Sequence, residues 1–177
     1  LKEYFSDFVK LFDLKRLPKV ILLTGEKGIG KFTLSFHLVN YIFSLNSKNS
    51  YDYQNLKIND QNHFYKSILS NVCENFIYVR NENLEKAKIQ DIRNIKKKFN
   101  TSSLNNMPRF TILDDVELLN VNAANSLLKL IEEPSDNNYF ILINNKKKKI
   151  IETIRSRALE TKIFLNKKIQ NEIFDHL

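Results

Sequence analysis

The chain has little of what marks secreted and membrane proteins. Its one cysteine, Cys73, cannot form an intrachain disulfide. No apolar run approaches the roughly 18 residues needed to span a bilayer, and the first residues carry acids within a broken apolar pattern, which excludes a secretory signal. We therefore expect a cytoplasmic protein with no membrane partner.

Length and composition predict one globular domain. The 177 residues are 42% hydrophobic and 27% charged, which suits a single domain with a buried core. The net charge of +8 permits contact with nucleic acid without requiring it. Residues 46–70 are rich in Asn, Ser, Lys and Asp and lack a clear period, so we expect a polar insertion or surface loop there, within a domain that covers residues 1–177.

Short apolar runs alternate with patterns of helical period. We predict strands over residues 20–23, 75–79, 109–113, 139–143 and 162–165. We predict helices over residues 1–12, 31–45, 84–99, 122–131 and 150–154, with Asn122 as the N-cap of the fourth. This order of elements is typical of an α/β fold, in which helices cover both faces of a parallel sheet.

Glycine is scarce, and its placement is informative. The three glycines, Gly25, Gly28 and Gly30, all lie between a predicted buried strand and a helix. Lys31 follows directly, which gives the spacing and the context of a phosphate-binding loop. Glycines let successive backbone N–H groups turn toward a phosphate, the helix N-terminus adds positive potential, and the lysine supplies a full charge. The alternative is a tight turn with no ligand.

The residue after the lysine departs from the phosphate-loop pattern. Phe32 stands where a serine or threonine normally offers its hydroxyl to Mg²⁺. Thr33 follows one residue later, about 100° further around the helix, where it would face the α-phosphate rather than the metal. The sequence therefore permits ATP binding, predicts weak or absent hydrolysis at this site and offers no metal ligand that we assign.

Two acidic residues follow the predicted strand over 109–113. Asp114 is the candidate on the metal side of a nucleotide site, because the carboxyl ends of parallel strands meet at the same edge of a sheet. Asp115 stands where many phosphate-loop ATPases have a glutamate that polarises water, and its side chain is one methylene shorter. The alternative is a pair of acids that only caps the strand.

Longer segments carry a resemblance to a known family. They are residues 18–43, then ILDDVELLNVNAANSLLKLIEEPSDNNYFILI, then IIETIRSRALETKIFL. In these segments the chain resembles the delta-prime subunits of the bacterial DNA polymerase III clamp loader, which belong to the AAA+ class. The resemblance implies a phosphate-loop AAA+ domain followed by a helical lid and a helical collar. Both would lie beyond residue 177, so we expect this chain, which does not begin with Met, to be a fragment.

The resemblance also implies where the chemistry lies. The family's Ser-Arg-Cys motif matches residues 156–158, and its arginine reaches ATP held by a neighbouring gamma/tau subunit. An arginine finger raises the rate about 10³-fold or more, so Arg157 is the candidate catalytic residue, acting in trans, with Arg155 as its nearby competitor. The family's sensor position falls at Asn144 and Asn145, and we assign it to Asn144, whose amide could bind water or phosphate.

The resemblance predicts a delta-prime-like subunit of the DNA polymerase III clamp loader. With gamma/tau and delta subunits it would assist ATP-dependent loading of the sliding clamp onto primed DNA, as a part of the holoenzyme without a polymerase site of its own. Family members often hold zinc with four cysteines, which Cys73 and His63 cannot replace, so we expect no zinc. We interpret the lysine run 146–149 as a solvated loop rather than a DNA site.

Two other functions stay open at this point. A self-sufficient gamma-like AAA+ ATPase would hydrolyse ATP through Lys31 and Asp114, and Phe32 and Asp115 argue against it. A phosphate-loop kinase for a small substrate would leave the segments NAANSLLKLIEEP and IRSR unexplained. ATPase measurements on the isolated subunit distinguish the first alternative from the partner role.

Overall fold

The computed structural model describes residues 1–79, 107–135 and 137–164. The predicted helix over 84–99 and the last residue of the predicted strand over 162–165 lie outside the described residues. Among the helices within these three ranges, none is both long and apolar enough to cross a membrane.

Helices and strands alternate along the chain. The helices are α1 (Lys2–Asp13), α2 (Lys31–Ser44), α3 (His63–Leu69), α4 (Val121–Ile131) and α5 (Glu152–Arg155), with a 3₁₀ helix at Val116–Leu118. The strands are β1 (Val20–Thr24), β2 (Phe76–Val79), β3 (Arg109–Leu113), β4 (Asn138–Asn144) and β5 (Leu159–Lys162). The predicted strands over 20–23, 75–79, 109–113 and 139–143 are confirmed.

The five strands form one parallel sheet in the order β2-β3-β4-β1-β5. β1 lies between β4 and β5, and its Leu22 pairs with Leu142 of β4. β3 joins the other side of β4, and β2 is the outer strand beyond β3. All carboxyl ends point to one edge of the sheet, so the loops that follow β1, β3 and β4 lie next to one another.

Each face of the sheet carries its own hydrophobic core. The alternation of side chains along β1 sends Ile21 and Leu23 to the face covered by α1 and α2. Leu22 points to the opposite face, covered by α4 and α5, and is completely buried at 0% exposure. Burial on both faces explains why these strands are continuous apolar runs. The predicted α/β architecture, with helices on both faces of a parallel sheet, is confirmed.

The polar stretch 46–70 contains a helix and a buried aromatic residue. Helix α3 occupies its last part, where the side chain of Asn62 accepts hydrogen bonds from two backbone N–H groups of the first turn. Tyr51 is 7% exposed, and its ring centroid lies 5.4 Å from that of Phe5 in α1. The sequence does not predict α3, because seven residues are too few for a helical period to stand out.

Two predicted boundaries are wrong. The N-cap of α4 is Asn120, whose side chain accepts a hydrogen bond from the Ala123 N–H at 2.8 Å, and Asn122 lies inside the helix. The helix begins earlier than its apolar stripe suggests, and a capping oxygen binds the third residue after it. The last strand is Leu159–Lys162 rather than 162–165, because its backbone pairs with β1 there. This strand contains polar residues, so a search for apolar runs does not find it.

Lowering the pH below 6.5 should destabilise the fold through His37. Its Nδ1 lies 2.7 Å from the hydroxyl of Tyr51, and burial lowers the pKa of the His37 imidazole below its ordinary value of 6.5. The unfolded state therefore binds this proton more readily, so the free energy of unfolding falls as the pH drops. Thermal denaturation from about pH 7.5 to pH 5 measures this dependence.

His37→Gln should flatten the dependence, because it removes the half-buried imidazole. His63→Gln removes an exposed histidine and should leave the dependence unchanged. The difference between the pH dependences of the two variants gives the contribution of His37. Equal pH profiles for His37→Gln and the wild-type protein would contradict this assignment.

Candidate functional site

The glycine loop joins β1 to α2 at the carboxyl edge of the sheet. Gly28 and Gly30 adopt left-handed backbone conformations, with φ of 86° and 87°, which glycine reaches without the strain that a side chain adds. Gly30 is also the N-cap residue of α2, and the N–H groups of a first helical turn have no intrahelical partner. The loop thus has the backbone form that binds phosphate at a helix N-terminus.

Gly25 has a different reason to be glycine. A Cβ atom there would lie 2.6 Å from the carbonyl oxygen of Ile163 and 2.5 Å from Cδ1 of Ile29. Its N–H donates to the carbonyl oxygen of Asn144 at 3.2 Å. Because Gly25 has no side chain, β4 and the chain after β5 can pack directly against the start of the loop.

Lys31 is buried beneath the loop. It is 3% exposed, and its Nζ donates to the carbonyl oxygens of Gly25 at 2.7 Å and Glu26 at 2.6 Å. Burial lowers the pKa of the Lys31 ammonium, and the nearby carboxylates of Asp114 and Glu117 offset part of that shift. The loop's own carbonyls hold the ammonium, so a phosphate would have to draw it away from them.

Phe32 occupies the position at which a phosphate loop normally has the hydroxyl that binds a metal ion. Its ring packs against Tyr78 of β2, with 4.5 Å between ring centroids, and stacks on Phe36 at 5.6 Å. Such aromatic pairs contribute about 0.5–1.5 kcal/mol beyond burial, so Phe32 stabilises the packing of α2 on the outer strand. Thr33 is exposed at the cavity that Gly28, Gly30 and Lys31 line. The position after Lys31 is thus part of the hydrophobic packing.

One cavity of about 420 Å³ brings most of the predicted nucleotide-binding residues together. Its lining includes Gly28, Gly30, Lys31, Thr33 and Asp114, together with Tyr78 and Asn145. The parallel sheet explains this meeting, because the loops after β1, β3 and β4 reach the same edge. A cavity of this size suits a small phosphate-bearing ligand.

Both carboxylates of the acidic pair after β3 accept hydrogen bonds. Asp114 Oδ1 accepts from the backbone N–H of Asp115 and from Asn145 Nδ2, each at 2.9 Å. Asp115 Oδ1 accepts from the same amide at 2.6 Å, and Asp115 Oδ2 pairs with Lys147 Nζ at 2.8 Å. Burial acts to raise the pKa of Asp115, but hydrogen bonds from Lys147 and Asn145 outweigh it and hold the pKa below its ordinary value. The Asp115 carboxylate is therefore ionised and engaged within the chain.

Glu117 accepts hydrogen bonds from the loop that carries Asn145 and Lys147, the two residues that bind the acidic pair. It is 6% exposed, and its Oε1 accepts from the backbone N–H groups of Asn145 at 3.0 Å and Lys147 at 3.2 Å. Burial raises the pKa of the Glu117 carboxyl. Sequence analysis does not single out Glu117 or Lys147. The one signal that could have found Glu117 is its place two residues after the acidic pair.

Of the two asparagines at the predicted sensor position, Asn145 rather than Asn144 contacts the acidic pair. Asn144 Nδ2 lies 3.5 Å from Thr24 Oγ1, and Asn144 Oδ1 accepts from the backbone N–H of Lys146 at 2.9 Å. Asn144 is the last residue of β4, and successive side chains leave a strand on opposite sides. The lysine run 146–149 is an exposed loop, as predicted, and within it Lys147 pairs with Asp115.

The described residues at this edge offer Mg²⁺ few of the oxygen ligands that it requires. Within residues 1–79, 107–135 and 137–164, no group of three or more His, Cys, Asp or Glu side chains is placed to hold a metal ion. Mg²⁺ requires oxygen ligands in near-octahedral geometry. Phe32 offers none, and the carboxylates of Asp114 and Asp115 already accept hydrogen bonds from the chain.

Arg157 follows α5 and precedes the outer strand β5. Its side chain is 37% exposed, and its Nη2 pairs with Glu132 Oε1 at 2.8 Å. Its Nη1 donates to the carbonyl oxygen of Thr153 at 3.0 Å. The competitor Arg155 is bound at 2.8 Å by Glu160, which belongs to β5. Both arginines lie at the surface, but Arg155 ties α5 to the sheet through Glu160, which is 17% exposed. By contrast, the partner of Arg157, Glu132, is 46% exposed.

Comparison with protein families decides to which family the chain belongs. A family model described as DNA polymerase III, delta subunit, matches residues 1–166. The chain belongs to this family. The resemblance to delta-prime clamp-loader subunits, carried by the motifs of the sequence, is thereby confirmed.

Relatives of this polymerase III family member include both delta-prime and gamma subunits. A DNA polymerase III subunit delta' from Buchnera aphidicola subsp. Schizaphis graminum is 26% identical over 154 residues, which cover 87% of this chain and 45% of the relative. A DNA polymerase III subunit gamma from the same organism is 28% identical over 166 residues, which cover 94% of this chain and 43% of the relative. The chain spans less than half the length of either relative.

A solved structure supports the fold of the family member. The crystal structure of a DNA polymerase III gamma subunit-related protein from Thermotoga maritima matches with a TM-score of 0.63 at 20% identity. The match covers 93% of this chain and 48% of that chain. The predicted α/β fold is therefore confirmed.

Gly25→Ala should destabilise the fold more than Gly28→Ala. The methyl group at position 25 would lie 2.6 Å from the carbonyl oxygen of Ile163, so we expect the free energy of unfolding to fall by about 3 kcal/mol. At position 28 the methyl group meets no atom within 4 Å, and only the left-handed φ is strained, which costs about 1 kcal/mol. Urea denaturation measures both losses, and equal losses would contradict the packing role of Gly25.

Proposed function

We propose that the chain is the AAA+ domain of a delta-prime-like subunit of the DNA polymerase III clamp loader, with the family's lid and collar in the rest of the protein. The subunit works in the cytoplasm with gamma/tau and delta subunits to load the sliding clamp onto primed DNA. It supplies Arg157 in trans to ATP bound by a neighbouring subunit. Its own loop turns over ATP weakly or not at all.

The observation that carries the proposal is the packing of the side chain after Lys31. A phosphate-loop motor uses a hydroxyl there to bind Mg²⁺ and a carboxylate to orient the attacking water. Phe32 instead packs its ring against Tyr78, and Lys147 binds the Asp115 carboxylate. The hydroxyl is absent and the carboxylate is paired within the chain; both groups serve hydrolysis rather than folding, so the loop keeps its form without them.

The position of Arg157 supports a role toward a second subunit. It precedes β5, the strand at one border of the sheet, and its side chain is 37% exposed. The ion pair with Glu132 is also exposed, and such pairs contribute about 0–1 kcal/mol. A γ-phosphate carries more charge than a carboxylate, so a neighbour's ATP could replace Glu132 as the partner at little cost.

A self-sufficient gamma-like motor is the second candidate, and the match to a gamma subunit favours it. That relative is 28% identical over 94% of this chain, and the glycine loop with Lys31 is intact. This function requires Lys31-dependent ATP turnover by the isolated full-length protein. Steady-state ATPase measurements on the wild-type protein and on Lys31→Ala separate the two candidates: the proposed role predicts weak or absent turnover by the wild-type protein, whereas a motor predicts robust turnover that Lys31→Ala abolishes.

Arg157→Ala should reduce ATP hydrolysis by a clamp loader reconstituted with gamma/tau and delta subunits. The site that the arginine serves should slow about 10³-fold, so total turnover should fall by at least the share of that site. Assembly should be unchanged, because Arg157 is exposed and its ion pair contributes little. ATPase rates and size-exclusion chromatography of the complex measure the two effects.

Two matched variants complete this test. Arg155→Ala removes the neighbouring arginine, which Glu160 holds within the chain, and should leave turnover unchanged. Arg157→Lys keeps the charge without the planar guanidinium and should restore only part of the rate. Normal turnover in Arg157→Ala, or a loss in Arg155→Ala in its place, would refute the role of Arg157.

A further inference from the structure

Three of the four oxygens of the acidic pair accept hydrogen bonds from within the chain, each at 2.9 Å or less. Asp114 Oδ1 binds the backbone N–H of Asp115 and the Asn145 amide, each at 2.9 Å, and Asp114 Oδ2 lies 3.5 Å from the hydroxyl of Tyr78. Asp115 Oδ1 accepts from Asn145 at 2.6 Å, and Asp115 Oδ2 accepts from Lys147 Nζ at 2.8 Å. A divalent cation would have to displace several of these donors to complete its oxygen shell.

We propose that Lys147 provides at Asp115 the positive charge that a divalent cation would otherwise provide. This edge of the sheet then needs no metal ion to balance the charge of its carboxylates. The inference deepens the proposed function and rests on it in treating this site as one without turnover. An ammonium provides part of the positive charge that Mg²⁺ would provide. Asn145 adds neutral donors at the oxygens that Lys147 does not reach.

Lys147 is positioned more firmly than a lysine in a solvated run. Its backbone N–H donates to the buried Glu117 at 3.2 Å, and the preceding Lys146 turns the chain through a left-handed φ of 58°. The side chain of Lys147 is 36% exposed, whereas that of its partner Asp115 is only 10% exposed. Solvent and salt screen such a pair less than they screen a pair on the open surface.

The charges at this edge explain why a built-in cation excludes a metal ion. Lys31 donates to the carbonyl oxygens of its own loop, whereas Lys147 contacts Asp115 directly. A buried carboxylate without a cation or donors is strongly unfavourable, and Lys147 removes that cost for Asp115. The same ammonium repels a second cation at this distance. Occupation by Lys147 and by a metal ion are therefore mutually exclusive.

Removing the ammonium should therefore create a metal site. Without Lys147, Asp114 and Asp115 keep their negative charge and lose the cation that balances it. Adjacent carboxylates, completed by water, are ligands that Mg²⁺ and Mn²⁺ prefer. Removing a lysine that does not contact the acids should have no such effect.

The test uses the full-length protein and Mn²⁺ alone, whose free-ion EPR signal falls on binding. Lys147→Met, which keeps the length of the side chain without its charge, should bind Mn²⁺ about tenfold more tightly than the wild-type protein, or better. Lys148→Met, at the exposed neighbour, should match the wild-type protein. Adding Asp114→Asn to Lys147→Met should abolish the gain, which would place the ion at the acidic pair.

Two results would overturn the inference. Wild-type Mn²⁺ binding that Asp114→Asn removes would show that the pair holds a metal ion with Lys147 in place. No gain in Lys147→Met, in protein shown by circular dichroism to be folded, would show that the ammonium is not the barrier. Lys147→Gln provides the same comparison if the methionine variant unfolds. ATP hydrolysis is not part of this readout, so its outcome is independent of whether Arg157 acts on a neighbouring subunit.

Discussion

The parallel alignment of β1, β3 and β4 is the constraint on which the rest of the site depends. Backbone pairing sets Thr24 of β1 beside Asn144 of β4, and Leu113 of β3 beside Leu142 of β4. Both faces of these strands are buried, so a slip of one residue would exchange the two hydrophobic cores and is strongly disfavoured. Because the register is held in this way, the glycine loop, the acidic pair and the loop after β4 meet at one cavity.

At this edge of the sheet several charged and acidic side chains are bound within the chain. Lys31 binds the carbonyl oxygens of its own loop, Lys147 binds Asp115, and Glu117 binds two backbone N–H groups. Such partners are needed because a charge removed from water is strongly unfavourable unless it is paired. In a motor, nucleotide, metal ion and water would provide part of this balance. Here the chain provides it, which fits a subunit whose fold does not depend on turnover.

The same architecture therefore suits two roles in one assembly. The chain resembles a delta-prime and a gamma subunit to similar degrees, 26% and 28% identity, and a fold by itself does not specify a function. The difference between partner and motor depends on a few side chains at the sheet edge. Phe32 and the pairing of Asp115 with Lys147 favour the partner role.

The sequence by itself determined the alternation of strands and helices, the glycine loop and the missing hydroxyl at Phe32, because period and spacing within a short segment encode each of them. The tertiary structure alone decided that Asn145 rather than Asn144 faces the acids, that Lys147 pairs with Asp115, and that a buried Glu117 holds their loop. These contacts join residues 30 to 32 positions apart. They depend on strand register and on which side of β4 each side chain leaves, and no local pattern specifies either.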